Sequence, residues 1–208
     1  MKKQAGLLFG PDVIRHLIPH RRPFLMVDAV TAYERGATPV MCATRHISAN
    51  ESIFEGHFPG LHLWPGVYTI EGLGQTCNLL QVIWSIQNIA EERGLDPELV
   101  MGALLNLQRG FEMKPGYRPD MSNPLLEALR SNENYASMSS RIGMTAAVDI
   151  KLLQPVYAGS RLDFRVVQTH LLEALVRFDV QAQVEGQVVA RGTMTSTRGI
   201  PTLPAAAP

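Results

Sequence analysis

Gly56-His57-Phe58-Pro59-Gly60-Leu61-His62-Leu63-Trp64-Pro65-Gly66-Val67-Tyr68-Thr69-Ile70-Glu71 sets a histidine, two Pro/Gly turns, a helix start and a glutamate within sixteen residues. Proline cannot continue a preceding helix but suits the beginning of one, so Pro65-Gly66 opens a helix. From there Val67, Ile70, Leu73, Cys77, Leu80 and Trp84 recur at helical spacing, which predicts a helix with one face on a core. Gly72 and Gly74 lie inside it at about 1 kcal/mol each relative to alanine. Such a cost predicts that a strand or a ligand approaches the helix closely there. Arg93-Gly94, a basic last turn and a glycine cap, ends the helix.

Working outward, Pro11 to Leu17 reads as a short helix, broken by Pro19-His20-Arg21-Arg22-Pro23. Phe24 to Tyr33 and Thr38 to Ile47 read as strands around the turn Arg35-Gly36, a predicted hairpin. On the other side, Asp96-Pro97-Glu98 is a helix start, with a cap, a proline at the first position and an acid in the first turn. That helix is predicted over Leu99 to Leu107, followed by a loop at Pro115-Gly116-Tyr117-Arg118-Pro119. A short helix from Asn123-Pro124 to Leu129 and a polar loop from Ser131 to Ser140 follow. Thr145 to Leu153, Arg161 to Thr169, Leu175 to Val184 and Val188 to Ser196 then read as an antiparallel meander. Its predicted turns are Ala158-Gly159-Ser160, His170-Leu171-Leu172 and Glu185-Gly186-Gln187. Residues 200–208 form a Pro/Ala tail expected to be flexible. The fold class is α+β, a single domain over 1–208 in which one antiparallel sheet curls around one long helix.

Composition narrows the function. The 208 residues are 46% hydrophobic, enough for a sizeable core. Lys+Arg and Asp+Glu both number 19, so nothing global points to nucleic acid or a membrane surface. The apolar run at the N-terminus stops at Gly10-Pro11, too short for a signal-peptide core. The long apolar helix carries Glu71, Gln75, Asn78, Gln81 and Gln87, which argues against a membrane span. Cys42 and Cys77 fit no metal or redox spacing; of a disulfide between them and free thiols in a reducing cytoplasm, cysteine usage favours the thiols. No cluster has metal-ligand spacing, so no metal is expected. Zero net charge favours burial of surface in an oligomer.

His57 alone is weak evidence, being one of six histidines. The Pro/Gly turns after it hold the backbone rigidly, which suits a positioned base. Glu71 shares the helical phase of Val67 and is expected to face the core. Desolvation there would raise its pKa and make its protonated form available as an acid. The other reading is a structural turn followed by a satisfied buried glutamate.

Three further runs join this block: Ile18-Pro19-His20-Arg21-Arg22-Pro23-Phe24-Leu25-Met26-Val27-Asp28, Phe54-Glu55-Gly56-His57-Phe58-Pro59-Gly60 and Glu71-Gly72-Leu73-Gly74-Gln75. Together they resemble the FabZ-type (3R)-3-hydroxyacyl-acyl-carrier-protein dehydratases over roughly residues 11 to 90. Val148-Asp149-Ile150-Lys151-Leu152-Leu153-Gln154-Pro155-Val156 extends the likeness more weakly. The resemblance implies a hot-dog fold, with an antiparallel sheet wrapped around a central helix. It implies that His57 removes the α-proton of a 3-hydroxyacyl thioester and that Glu71 protonates the departing hydroxyl. It implies backbone N–H groups of Leu63 and Gly66 at the thioester oxygen, and Gln75 orienting the carboxyl or walling the pocket. It implies no cofactor beyond the 4'-phosphopantetheine of the acyl carrier protein that bears the substrate. It also implies a homodimer or trimer of dimers, with each site shared across subunits. Glutamate rather than aspartate at 71 sets the chain apart from the isomerising FabA type.

Several positions depart from the family pattern. Leu61-His62-Leu63-Trp64 replaces its usual run, and Trp64 and Phe58 are read as lining the acyl tunnel, with His62 a loop residue. Gly72 and Gly74 stand for small alanines and are read as widening that tunnel. Residues of about 95–144 form an insertion, read either as a surface cap or oligomer contact or as a substrate lid. His20, Arg21 and Arg22 are candidate contacts for the phosphopantetheine or the acidic carrier protein; the other reading is a solvated basic turn. A hot-dog acyl thioesterase is one alternative. A non-catalytic acyl-binding subunit of a heteromeric dehydratase complex is another.

Overall fold

The computed structural model describes residues 7–117, 144–172 and 175–197. The long helix α2 (Gly66–Glu92) runs 27 residues with Leu73, Cys77, Leu80 and Ile83 buried, the spacing expected of one core-facing stripe. It ends as the sequence predicts: Gly94 takes a left-handed φ of 74° and the Leu95 N–H returns to the Ala90 carbonyl at 2.9 Å.

Six antiparallel strands pack around it: β1 (Ala29–Glu34), β2 (Val40–His46), β3 (Thr145–Leu152), β4 (Arg161–Leu172), β5 (Leu175–Val184) and β6 (Gln187–Thr197). Their spatial order is β1-β2-β4-β5-β6-β3. Alternate residues of β4 (Leu162, Phe164, Val166) and β5 (Val176, Phe178, Val180) are buried, so one face of the sheet is closed by α2. Each such side chain, fully removed from water, contributes about 1.5–3 kcal/mol. The hot-dog architecture implied by the motifs is borne out.

Four local expectations need correction. The first strand begins at Ala29 rather than Phe24, because the backbone at Phe24 and Met26 bonds the Gln75 side chain instead of a neighbouring strand. The meander has three strands, β4-β5-β6; β3 crosses to the outer edge of β6. His170-Leu171-Leu172 is strand, not turn, since β4 continues until Leu172 faces Leu175. Val67 is 66% exposed, so it does not belong to the buried stripe.

The proposed insertion divides. Helix α3 (Glu98–Met113) buries Val100, Leu104 and Leu107 and packs on α1 (Pro11–Leu17) and α2. Gln108 Oε1 accepts the Gly10 N–H at 2.8 Å, and Phe111 stacks on His16. This portion is part of the core rather than a cap or a lid. The helix expected at residues 123–129, the loop at 131–140 and the tail at 200–208 lie outside the described residues.

Candidate active site

A 3-10 turn at Ser52–Glu55 delivers the chain to His57, and the His57–Phe58 peptide is cis. The Phe58 ring stacks on the imidazole with centroids 4.1 Å apart. Nδ1 of His57 donates to the Leu63 carbonyl at 2.9 Å. That acceptor places the ring proton on Nδ1 and leaves Nε2 as the basic nitrogen. The loop that supplies Leu63 is strapped to the segment before β4. Trp64 N–H bonds the Val156 carbonyl at 2.8 Å and Ala158 N–H bonds the His62 carbonyl at 3.1 Å.

Between these straps lies a cavity of about 370 Å³. His57, Leu63, Trp64, Gly66 and Thr69 line one side; Leu152, Leu153, Gln154, Pro155, Val156 and Val189 line the other. Trp64 is buried, with its indole edge-on to Tyr68 and the Arg45 guanidinium 5.8 Å above its ring. Arg45 is itself held by Asp28 and Glu51. The Gly66 N–H at the start of α2 has no partner among the described residues and carries the positive end of the helix dipole.

The structure redistributes several expected roles. Leu63 N–H is directed to the Leu61 carbonyl at 2.8 Å, so Leu63 serves the site through its carbonyl rather than as a donor. Phe58 backs the histidine and does not line the cavity. The space beside Gly72 and Gly74 is filled by the sheet. A Cβ at Gly72 would lie 2.5 Å from Phe164, and one at Gly74 would lie 3.3 Å from Met194. Both glycines therefore admit strands rather than widening a tunnel. Arg21 is spent on the carbonyls of Arg15, Ile18 and His20, each at 2.8 Å, which leaves Arg22 exposed beside it. His62 is an exposed loop residue against Phe54.

Glu71 is not fully desolvated, for its side chain is 30% exposed. Gln75, which is 1% exposed, donates to Glu71 Oε1 at 2.8 Å and to the Phe24 carbonyl at 2.7 Å, and accepts the Met26 N–H at 2.8 Å. His20 Nε2 lies 3.8 Å from the same Oε1. Glu71 does not line the His57 cavity. Sequence reasoning missed Thr69 and the neighbourhood of His20. Thr69 carries a signal in retrospect, standing one turn after Gly66 on the helix. No group of three His, Cys, Asp or Glu among the described residues could hold a metal ion.

A family profile described as a FabA-like domain matches residues 18–102. Over those residues the chain is similar to a FabA-like domain. The stretch holds His20, His57, Glu71 and Gln75, and the resemblance read from the motifs is borne out. The chain is 26% identical to the 3-hydroxyacyl-[acyl-carrier-protein] dehydratase FabZ of Clostridioides difficile over 184 residues, 88% of this chain and 92% of that protein. It is 46% identical to the FabZ of Neisseria meningitidis over 70 residues, 34% of this chain. That match spans only 46% of the Neisseria protein's own length. Among solved structures, the dehydratase heterocomplex ApeI:P from Xenorhabdus doucetiae shares the fold at a TM-score of 0.52 and 14% identity, covering 90% of this chain and 91% of that one. No helix among the described residues is long and apolar enough to cross a membrane.

Proposed function

We propose that this chain dehydrates (3R)-3-hydroxyacyl thioesters carried on an acyl carrier protein to trans-2-enoyl thioesters. One arrangement carries the reading. His57, with its free Nε2, shares a largely apolar cavity with the unpaired Gly66 N–H, while Gln75 holds Glu71 further along the same helix. In this mechanism His57 Nε2 takes the α-proton and negative charge develops on the thioester oxygen. The Gly66 N–H and the α2 dipole stabilise that charge. Glu71 gives its proton to the 3-hydroxyl, which departs as water, leaving the α,β double bond. The names of the FabZ relatives support the substrate class. The substrate itself brings the phosphopantetheine arm, and exposed Arg22 is the candidate contact for an acidic carrier. Two free thiols, Cys42 and Cys77, suit a reducing compartment such as the cytoplasm.

The reading includes a homodimer whose subunits exchange acids. Val67, Phe58 and Leu61 are exposed near the start of α2, and the edge strand β3 exposes Val148 and Leu152. A second copy seated there would cover this apolar surface and bring its own Glu71 toward the His57 cavity.

The test is mass spectrometry of carrier-bound 3-hydroxyacyl chains, watching for loss of water. His57→Ala and Glu71→Gln should each lower kcat by about a thousandfold with the fold intact. Full activity of either variant sinks the assignment, and release of free thiol instead of water would favour the thioesterase alternative. If each site spans two subunits, refolding the two variants together should restore about a quarter of wild-type activity, because each mixed dimer regains one intact site. No restoration would refute the shared site. An inert wild type that gains activity with a different hot-dog subunit would favour the heteromeric alternative.

A further inference from the structure

His20 belongs to the motif Pro19-His20-Arg21-Arg22-Pro23-Phe24, and the dehydration mechanism leaves it without a task. Its position is specific. Nε2 lies 3.8 Å from Glu71 Oε1, and the ring leans on Phe24 with centroids 6.3 Å apart. Nδ1 is buried without a hydrogen-bond partner among the described residues. The same loop supplies the Phe24 carbonyl and Met26 N–H that lock Gln75, and Gln75 donates to the same Oε1. His20 of this loop and Gln75 of α2, which the loop locks, thus set two nitrogen groups against one oxygen of the acid.

The buried Nδ1 decides which form of the ring sits there. An imidazolium, or the neutral tautomer with its proton on Nδ1, would bury an N–H with no acceptor, and leaving such a donor unmade is costly. The neutral ring with its proton on Nε2 buries only a lone pair and points its donor at Glu71. At 3.8 Å the contact is electrostatic rather than a formed hydrogen bond. Such contacts in a free enzyme tighten when substrate seats.

We propose that His20 is a positioning residue for Glu71: a neutral imidazole that presents its Nε2–H to Oε1 beside the Gln75 amide, leaving Oε2 as the oxygen that carries the acid's proton. This deepens the dehydratase reading and rests on it. With both donors on Oε1, the carboxylic acid has one favourable orientation, and the proton to be delivered lies on the opposite oxygen. Burial is the largest influence on His20 and lowers its pKa from 6.5; Glu71, on α2, opposes this and Arg21, on its own loop, adds to it. The ring is therefore uncharged at neutral pH, as the role requires.

Two variants and one spectrum test the assignment. His20→Leu removes the donor and should lower kcat on the order of tenfold with KM little changed. His20→Gln restores an N–H donor and should return kcat to within about threefold of wild type. Wild-type kcat in His20→Leu, or equal impairment of both variants, would overturn the proposal. Ring-nitrogen NMR of the wild-type protein reads the same role without turnover and without a variant that must fold. It should show the His20 proton on Nε2 and a titration below 6.5 that moves lower still in Glu71→Gln. A proton on Nδ1, or a titration unmoved by Glu71→Gln, would overturn it. A wild type inert on every 3-hydroxyacyl chain would overturn the dehydratase reading, while the tautomer and its coupling to Glu71 would still decide the role of His20.

Discussion

Replacing Gln75 by leucine tests the link between fold and chemistry, because one side chain serves both. All its hydrogen-bonding capacity toward α2 and the loop is in use: Met26 N–H at 2.8 Å, the Phe24 carbonyl at 2.7 Å and Glu71 Oε1 at 2.8 Å. Leucine has a similar volume, so the variant opens no large cavity and the loss is one of polar pairing. Met26 is 3% exposed, so its orphaned N–H bears the full cost of an unsatisfied buried donor. Phe24 is 49% exposed, so its carbonyl recovers water. The sum is about 2–3 kcal/mol. For a chain of this size that lowers Tm by roughly 4–12 °C. Glu71 simultaneously loses its shortest donor, and kcat should fall by about ten- to a hundredfold. Gln75→Glu should be worse at neutral pH, since a carboxylate there faces the Phe24 carbonyl and Glu71, and should improve as the solution is acidified. Urea denaturation measures the first quantity and the dehydration assay, run well below both melting points, the second. A Gln75→Leu protein within about 0.5 kcal/mol of wild type and fully active would refute the reasoning.

Two further outcomes follow from packing and burial. Gly192→Ala would place a Cβ 1.9 Å from the Asp149 carbonyl oxygen and 2.8 Å from Ile150 Cα, backbone atoms of β3 that cannot swing aside. It should cost about 3 kcal/mol and weaken the dimer proposed to form along β3, read by denaturation and light scattering; an unchanged melt would refute it. Burial, then Arg15 and Arg21, hold His16 below 6.5 against the opposing Asp12. The folded state binds this proton less readily than the unfolded chain, so stability is undiminished above 6.5 and declines as pH falls below 6.5. His20 contributes with the same sign. His16→Gln should flatten the slope of stability against pH below 6.5, and an unchanged slope would refute the assignment.

The long helix was legible because its signals are local. Pro65-Gly66 starts it, apolar residues from Leu73 onward keep helical phase, and Gly94 can take the left-handed turn that ends it. The first turn misled for a physical reason: Val67 shares the phase of the stripe, but helix phase specifies a direction, not whether the chain's own sheet reaches that far. The same limit governs the strands. Alternation marked β3 to β6 closely, yet their order depends on which edge of the sheet is vacant, and β3 pairs with β6 rather than β4. Gly72 and Gly74 predicted close approach correctly in kind, but whether a strand or a ligand approaches is a tertiary matter, decided by Phe164 and Met194.

By itself the sequence determined the α+β class, the central helix, and the histidine, glutamate and glutamine on whose spacing the proposed chemistry rests, because turn residues and helical period act over a few neighbouring residues. Only the tertiary structure decided that Leu63 serves His57 through its carbonyl, that Arg21 is spent on its own loop, and that His20 faces Glu71. The last contact joins segments far apart in sequence, and the first two are local but take their direction from which backbone groups the packing leaves unpaired.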